Sequence, residues 1–308
     1  MALNSAIEWT DNSVPVVTGC SYQGVGCKNC YAPRVAWRLA HSPHAALAAR
    51  YAGTAEKRPD GTLAWTGKVT INLDQLDAIQ RARRPQAWFL SHVGDVFHDD
   101  VPAAVIDSIL AVAALHPEQR LIILTKRYAR MAALLAAGPK PLANVWIGAS
   151  IANDADAAEA APHLRTLHAA GWQVIASYEP AVGAVDWAGH GLTFLAGIIS
   201  GGESGPRARP THPDWHRATR DFCLRHRIRF FFKQWGAWQA FYDRDQDDPD
   251  WRRVPPEPTD RDTTRLNLAG GTGFHGERLV YLRRRTKFDT GRLLDGRTWD
   301  DLPWRPAA

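Results

Sequence analysis

Cys20, Cys27 and Cys30 stand together in TGCSYQGVGCKNCYA, the stretch from Thr18 to Ala32, in a chain with only four cysteines. Thiolates are soft ligands that hold zinc ions or iron–sulfur clusters. A disulfide reading is weak, because an odd local count leaves one thiol over. A closed zinc site wants four ligands. The fourth would be His41, His44 or Cys223, and Cys223 sits in DFCLRH, a helical pattern that suits a packed small residue. Three cysteines with no obvious local fourth ligand fit another group better, a [4Fe–4S] cluster bound through three irons with the fourth iron open. That iron can take the amino and carboxylate groups of S-adenosylmethionine, whose reductive cleavage starts radical chemistry. The glycines of the spacer SYQGVG let the backbone fold tightly and point amides at sulfides. A zinc knuckle or a redox pair is the structural alternative.

GGESG is the second feature. Gly201, Gly202, Glu203 and Ser204 follow an apolar run, and such a turn lets a ligand approach the backbone. Glu203 is expected to meet the methionine amino group or the ribose of the cofactor, with Ser150 assigned to the same cofactor. The alternative is a tight turn with a solvent-exposed glutamate. Lys126, Glu179 and Lys233, each at the end of another run, are expected to face substrate. Arg207 and Arg209 in GPRARP add positive charge that suits a carboxylate or phosphate, although loop arginines are commonly just solvated. SHVGDVFHDD carries His92, Asp95, His98, Asp99 and Asp100. Metal binding is one reading of it. We assign His92 and Asp95 to the site and expect Asp99 or Asp100 to cap the helix that follows.

The elements that must position these residues are short apolar runs: SVPVV, KVTINL, AWFLSH, RLIILTK, NVWIGAS, WQVIAS, TFLAGIIS and IRFFF. They are β-branched or aromatic and suit fully buried strands. Helical patterns fall between most of them, in YAPRVAWRLAHS, LDQLDAIQRAR, VPAAVIDSILAVAALHP, AEAAPHLRTLHAAG and DWHRATRDFCLRHR. Residues 178–193 show no clear helix. The alternation predicts a (β/α)8 or partial TIM-type barrel, with a doubly wound sheet as the alternative. In a barrel the chemistry gathers at the carboxyl ends of the strands, where these polar residues stand. Beyond about residue 240 the texture becomes charged and proline-rich. The expected division is therefore a barrel over 1–239 and a C-terminal extension over 240–308, with ERLVYLRRR as one strand of a hairpin.

Composition bounds the rest. The 308 residues are 45% hydrophobic and 22% charged, as in soluble globular domains. No run is long enough to span a membrane, and the N-terminus has no secretory pattern, so a cytoplasmic protein is expected. The net charge of +5 is compatible with a nucleic-acid or nucleotide partner without requiring one.

TGCSYQGVGCKNCYA, FLSHVGDVFHDDVP, LTKR, VWIGAS, SYEP, GGESGPRARPTHPDW, RDFC, FFFKQWG and GRLLDGRTWDDLP occur in this order between about Trp9 and Pro303. In that order the chain resembles the phage-type three-Cys-motif proteins, which are radical-SAM-like. The resemblance implies an iron–sulfur barrel enzyme. S-adenosylmethionine as cofactor is the reading of the cysteine loop, and its reductive cleavage calls for an electron donor such as a ferredoxin or flavodoxin. Three features depart from the wider superfamily. The cysteines are separated by six and then two residues instead of three and two. Asn29 precedes the last cysteine where an aromatic is common, and GGESG lies late in the chain.

Overall fold

The computed structural model describes residues 2–3, 5–244, 255–273 and 278–305. The part of the charged 240–264 stretch that runs from 245 to 254 lies outside the described residues.

Seven of its strands are β1 (Asn12–Val14), β2 (Ala87–Leu90), β3 (Arg120–Thr125), β4 (Val145–Ser150), β5 (Gln173–Tyr178), β6 (Gly197–Gly201) and β7 (Arg229–Gln234). They are hydrogen-bonded in chain order in one eight-stranded sheet, whose eighth member is the two-residue strand Ala2–Leu3 beyond β1. The pairs β1·β2, β2·β3, β3·β4 and β6·β7 are parallel, whereas Ala2–Leu3 runs antiparallel to β1. The first and last strands are not paired, so this is the strand order of a half-barrel, the partial form of the expected fold. The strands are nearly continuous buried runs, as parallel strands covered on both faces must be. The main helices are α1 (Ala32–Ala40), α2 (Ala103–Leu115), α3 (Tyr128–Leu135), α4 (Asp154–Ala169) and α5 (Pro213–His226).

One expected strand does not join this sheet. KVTINL contributes only Thr70–Ile71, which pairs antiparallel with Val17–Thr18 in a separate two-stranded ribbon. The helix expected after it shrinks to a 3-10 turn, Leu73–Leu76, and one helical turn, Asp77–Gln80. The ribbon sits directly before the cysteines, so its job is local: it fixes where their loop begins. Conversely, α3 lay hidden in the sequence between LTKR and Gly138. Residues 178–193 contain no helix, as expected.

The chain divides into two compact units. The first comprises Met1–Ser150, Ala160–Ile175 and Phe194–Ala196. Its α1 buries Ala32 and Ala36 against Tyr51, Ala55 and Val93. The second comprises Ile151–Glu159, Ala176–Thr193 and Gly197–Ala308. Besides β6, β7 and α5, it holds a three-stranded antiparallel sheet of β8 (Trp238–Tyr242), β9 (Thr263–Asn267) and β10 (Leu279–Arg284), with β10 in the middle. Of ERLVYLRRR, Leu279–Arg284 form a strand, as expected, with a partner on each side, and Glu277 lies outside the described residues. Among the described residues no helix is long and apolar enough to cross a membrane.

Candidate functional site

In the first unit the cysteine loop starts under tight constraint. Gly19 has φ of 89° and a Cβ there would lie 2.1 Å from the Lys68 carbonyl oxygen. Its amide donates to the Val93 carbonyl at 3.0 Å, and it bridges to Gly94. A Cβ at Gly94 would in turn lie 2.2 Å from the Val17 oxygen. Two backbones therefore meet where no side chain fits, and the root of the loop is pressed against the loop after β2. After Gly24 the chain makes a 3-10 turn, Val25–Cys27, with Cys27 N donating to the Gly24 carbonyl at 2.8 Å. Cys30 N donates to the Cys27 carbonyl at 3.2 Å, so Cys27 and Cys30 are one turn apart. α1 begins at once, with Pro33 in its first turn, where a missing N–H costs nothing.

All three thiols are half-buried, and none of the four cysteines is in a disulfide. Among the described residues no three of His, Cys, Asp and Glu converge as ligands of one metal ion. A four-iron cluster with one open iron asks instead for three soft sulfurs at separate corners. The donor set fits that. The His41 ring pairs through Nδ1 with the Trp37 carbonyl, and Cys223 is fully buried in α5 of the second unit.

Behind Cys20 lies a buried polar network. Asp95, 5% exposed, accepts from Thr125 Oγ1 at 2.8 and 2.9 Å and from the Phe97 amide at 2.9 Å. Arg127 Nη1 donates to Asp95 Oδ2 at 2.8 Å and to Cys20 Sγ at 3.6 Å, and its Nη2 donates to Ser21 Oγ at 2.6 Å. Ser21 Oγ also pairs with His98 Nε2 at 3.1 Å. Burial pushes the Cys20 thiol up to about 11, against the pull of Arg127. His98 is lowered by burial and by the Arg127 charge. Burial also lowers His92 to about 4, and its buried Nδ1 has no partner among the described residues. Its carbonyl accepts from the Tyr31 hydroxyl at 3.2 Å.

Asp95 thus lies behind Cys20, linked to it through Arg127. Asp99 and Asp100 do not cap α2. Its N-cap is Pro102 with no side-chain cap, and Asp99 turns to Arg127 Nε at 3.4 Å instead. Lys126, between Thr125 and Arg127, takes no part in the network and has no side-chain partner among the described residues. Ser150 ends β4, its carbonyl accepting from the Tyr128 hydroxyl at 2.7 Å. Sequence reasoning assigned no role to Arg127 or Ser21. The only signal was an arginine two residues beyond a buried strand-end threonine.

In the second unit Glu179 and Lys233 meet: Lys233 Nζ donates to both carboxylate oxygens, at 2.7 and 2.9 Å. Gln234, 4% exposed, reaches Glu179 Oε1 with its amide nitrogen at 3.4 Å, and its own oxygen is buried without a partner among the described residues. Glu203 does not stand open to a ligand. It accepts from Arg209 N at 2.8 Å, Nε at 2.9 Å and Nη2 at 2.7 Å. Gly202 is explained by packing, because a Cβ there would lie 2.0 Å from the Trp235 carbonyl oxygen. Gly201 closes β6 and accepts from the Ala181 amide at 2.9 Å. Ser204 is half-buried and Arg207 exposed, while Arg284 of β10 ties the turn by donating to the Gly205 and Pro206 carbonyls.

The family model described as "Protein of unknown function (DUF5131)" matches residues 4–303. A comparison with curated proteins found no match. Among solved structures the chain is similar to a spore photoproduct lyase complexed with dinucleoside spore photoproduct, with 13% identity, 88% of this chain and 68% of that one covered, and a TM-score of 0.41. It is also similar to a mutant of spore photoproduct lyase with bound AdoMet and dinucleoside spore photoproduct, with 13% identity, coverage of 88% and 68%, and a TM-score of 0.39. Likeness at this level does not extend to what those proteins bind or act on.

Proposed function

We propose that this chain, which belongs to the DUF5131 family of proteins of unknown function, is a radical S-adenosylmethionine-type iron–sulfur enzyme. One observation carries the reading: a tightly rooted loop presents three thiols, and a buried arginine donates to the sulfur of the first. Cys20, Cys27 and Cys30 would hold a [4Fe–4S] cluster. Such a cluster, when bound with S-adenosylmethionine on its open iron, supplies one-electron reductive cleavage of that cofactor and so starts radical chemistry.

The chain's own residues bind and orient. Ser150, Gly201, Gly202 and Ser204 are proposed to contact the cofactor. Glu203 acts through Arg209: with both carboxylate oxygens engaged, it orients a guanidinium whose remaining N–H groups suit a carboxylate or phosphate. Lys233, held by Glu179, keeps a donor for an anionic or carbonyl group of the substrate, and Lys126 brings an ammonium with no side-chain partner among the described residues. The surplus of positive charge favours a nucleic-acid or nucleotide substrate. The electron comes from a donor of the ferredoxin or flavodoxin class, in the cytoplasm, where thiols stay reduced.

Anaerobic reconstitution of the full chain with iron and sulfide tests this. About four irons and four sulfides per chain are expected. Reduction with dithionite in the presence of S-adenosylmethionine should release 5′-deoxyadenosine. Cys20→Ser, Cys27→Ser and Cys30→Ser should each lose both properties. A colourless protein with stoichiometric zinc, or a reduced cluster that never cleaves S-adenosylmethionine, overturns the proposal.

A further inference from the structure

Arg127 and Asp95 form an enclosed ion pair, with side chains 3% and 7% exposed. Enclosing a charge costs several kcal/mol unless a partner and hydrogen bonds compensate, and an apolar pair of the same volume often serves stability as well or better. Stability alone therefore does not account for an arginine here. What an apolar pair cannot do is aim a donor. Arg127 Nη1 forks between Asp95 Oδ2 at 2.8 Å and Cys20 Sγ at 3.6 Å, while Nη2 is anchored on Ser21 Oγ at 2.6 Å. Asp95 is itself fixed by Thr125 Oγ1 and the Phe97 amide. The Thr125 hydroxyl also accepts from the Arg127 amide at 2.9 Å, which ties the arginine's backbone to the carboxylate it pairs with. The planar guanidinium is therefore over-determined and cannot swing its N–H off the sulfur.

We propose that Arg127 is a positioning residue that raises the reduction potential of the cluster ligated by Cys20, with Asp95 as the counter-charge that limits the rise. The inference rests on the cluster reading of the preceding subsection. A hydrogen bond and a positive charge at a ligating sulfur favour the more negative, reduced state of a cluster, and a nearby carboxylate favours the oxidised one. The two side chains pull in opposite senses, so their removal has opposite signs. A merely structural role would give no such pair of signs.

The test reconstitutes full-length wild type, Arg127→Met and Asp95→Asn under anaerobic conditions. Iron and sulfide content are measured, and each cluster is titrated against dithionite with redox mediators and read by electron paramagnetic resonance. At equal iron content, Arg127→Met should have a lower potential than wild type and Asp95→Asn a higher one. Potentials equal to wild type in both variants, or shifts of the same sign, overturn the inference. Should Arg127→Met fail to fold or load, Asp95→Asn decides: a potential that does not rise overturns it. Failure of the wild type to take up any cluster sinks the cluster reading itself. A loaded wild type with unshifted variants sinks only the role of Arg127.

Discussion

Gly202 and Gly201 are adjacent and chemically identical, yet the structure asks different things of them. A methyl at Gly202 would enter the Trp235 carbonyl at 2.0 Å, backbone that cannot turn aside. At Gly201 the nearest atom would be the Lys233 Cβ at 3.4 Å, an ordinary contact. Gly202→Ala should therefore cost about 1–3 kcal/mol, as overpacking does, and Gly201→Ala under about 1 kcal/mol. Urea unfolding midpoints check this, and equal midpoints for the two variants would contradict the packing account. The sequence marked GGESG as a turn where a ligand comes close to backbone. What approaches Gly202 is the chain's own Trp235, which comes 33 positions later, and no local pattern shows that. Glu203 gave the same kind of surprise. Its partner Arg209 is only six residues on, but which of two loop arginines would turn back, and with which atoms, depends on the path of the turn.

Helix α5 carries the contact that joins the late chain to its unit. Arg217 pairs with Asp214 on its own helix at 2.8 Å, with Asp243 beyond β8 at 2.7 Å and with Asp295 in the closing stretch at 2.8 Å. Arg278, beside β10, shares Asp214 and Asp243. Removing one cation leaves three partly buried carboxylates with less compensation. Arg217→Met should cost about 1–3 kcal/mol, more than an exposed ion pair would. It should also speed limited proteolysis beyond residue 240. Cutting unchanged from wild type would show that the extension is held by packing alone. The same experiment probes the proposed division into 1–239 and 240–308, since a stable fragment ending near 239 is its expected product. Strand patterns were readable in these elements because a buried strand must be apolar wherever its neighbours lie. KVTINL shows the limit: its composition is that of a strand, but the pairing with Val17–Thr18 was settled by where the chain returned.

At the scale of the whole molecule, four histidines among the described residues are held neutral by burial. His216 is lowered to about 3, within a cage of Ser200 Oγ at 2.7 Å and Thr211 Oγ1 at 2.9 Å, and His92 is lowered to about 4. His98 and His212 are lowered as well, burial being the largest cause for both. In the unfolded chain each takes up a proton near its ordinary value of about 6.5. The unfolded state therefore binds more protons than the folded one at any pH between these limits. Stability contributed by these groups is complete above about 6.5 and falls as pH drops towards the folded values. His216 alone contributes a slope of about 1.4 kcal/mol per pH unit within that window. Urea unfolding of the metal-free chain at pH 7.5, 6 and 5 should show the decline, and His216→Gln should flatten it. A wild-type midpoint that stays constant down to pH 5 would refute the argument.

Spacing and hydrophobic period are local, and they were enough to mark the cysteine loop, all six main-sheet strands after β1 and the partial barrel they build. A side chain's surroundings are not local. Cys20 meets Arg127 across 107 positions because β2 and β3 are neighbours in the sheet and Gly19 and Gly94 let two backbones touch. Strand order and close approach of this kind arise only when the chain packs. The ligands were therefore visible in the residues, whereas the charge behind the first of them belongs to the folded arrangement.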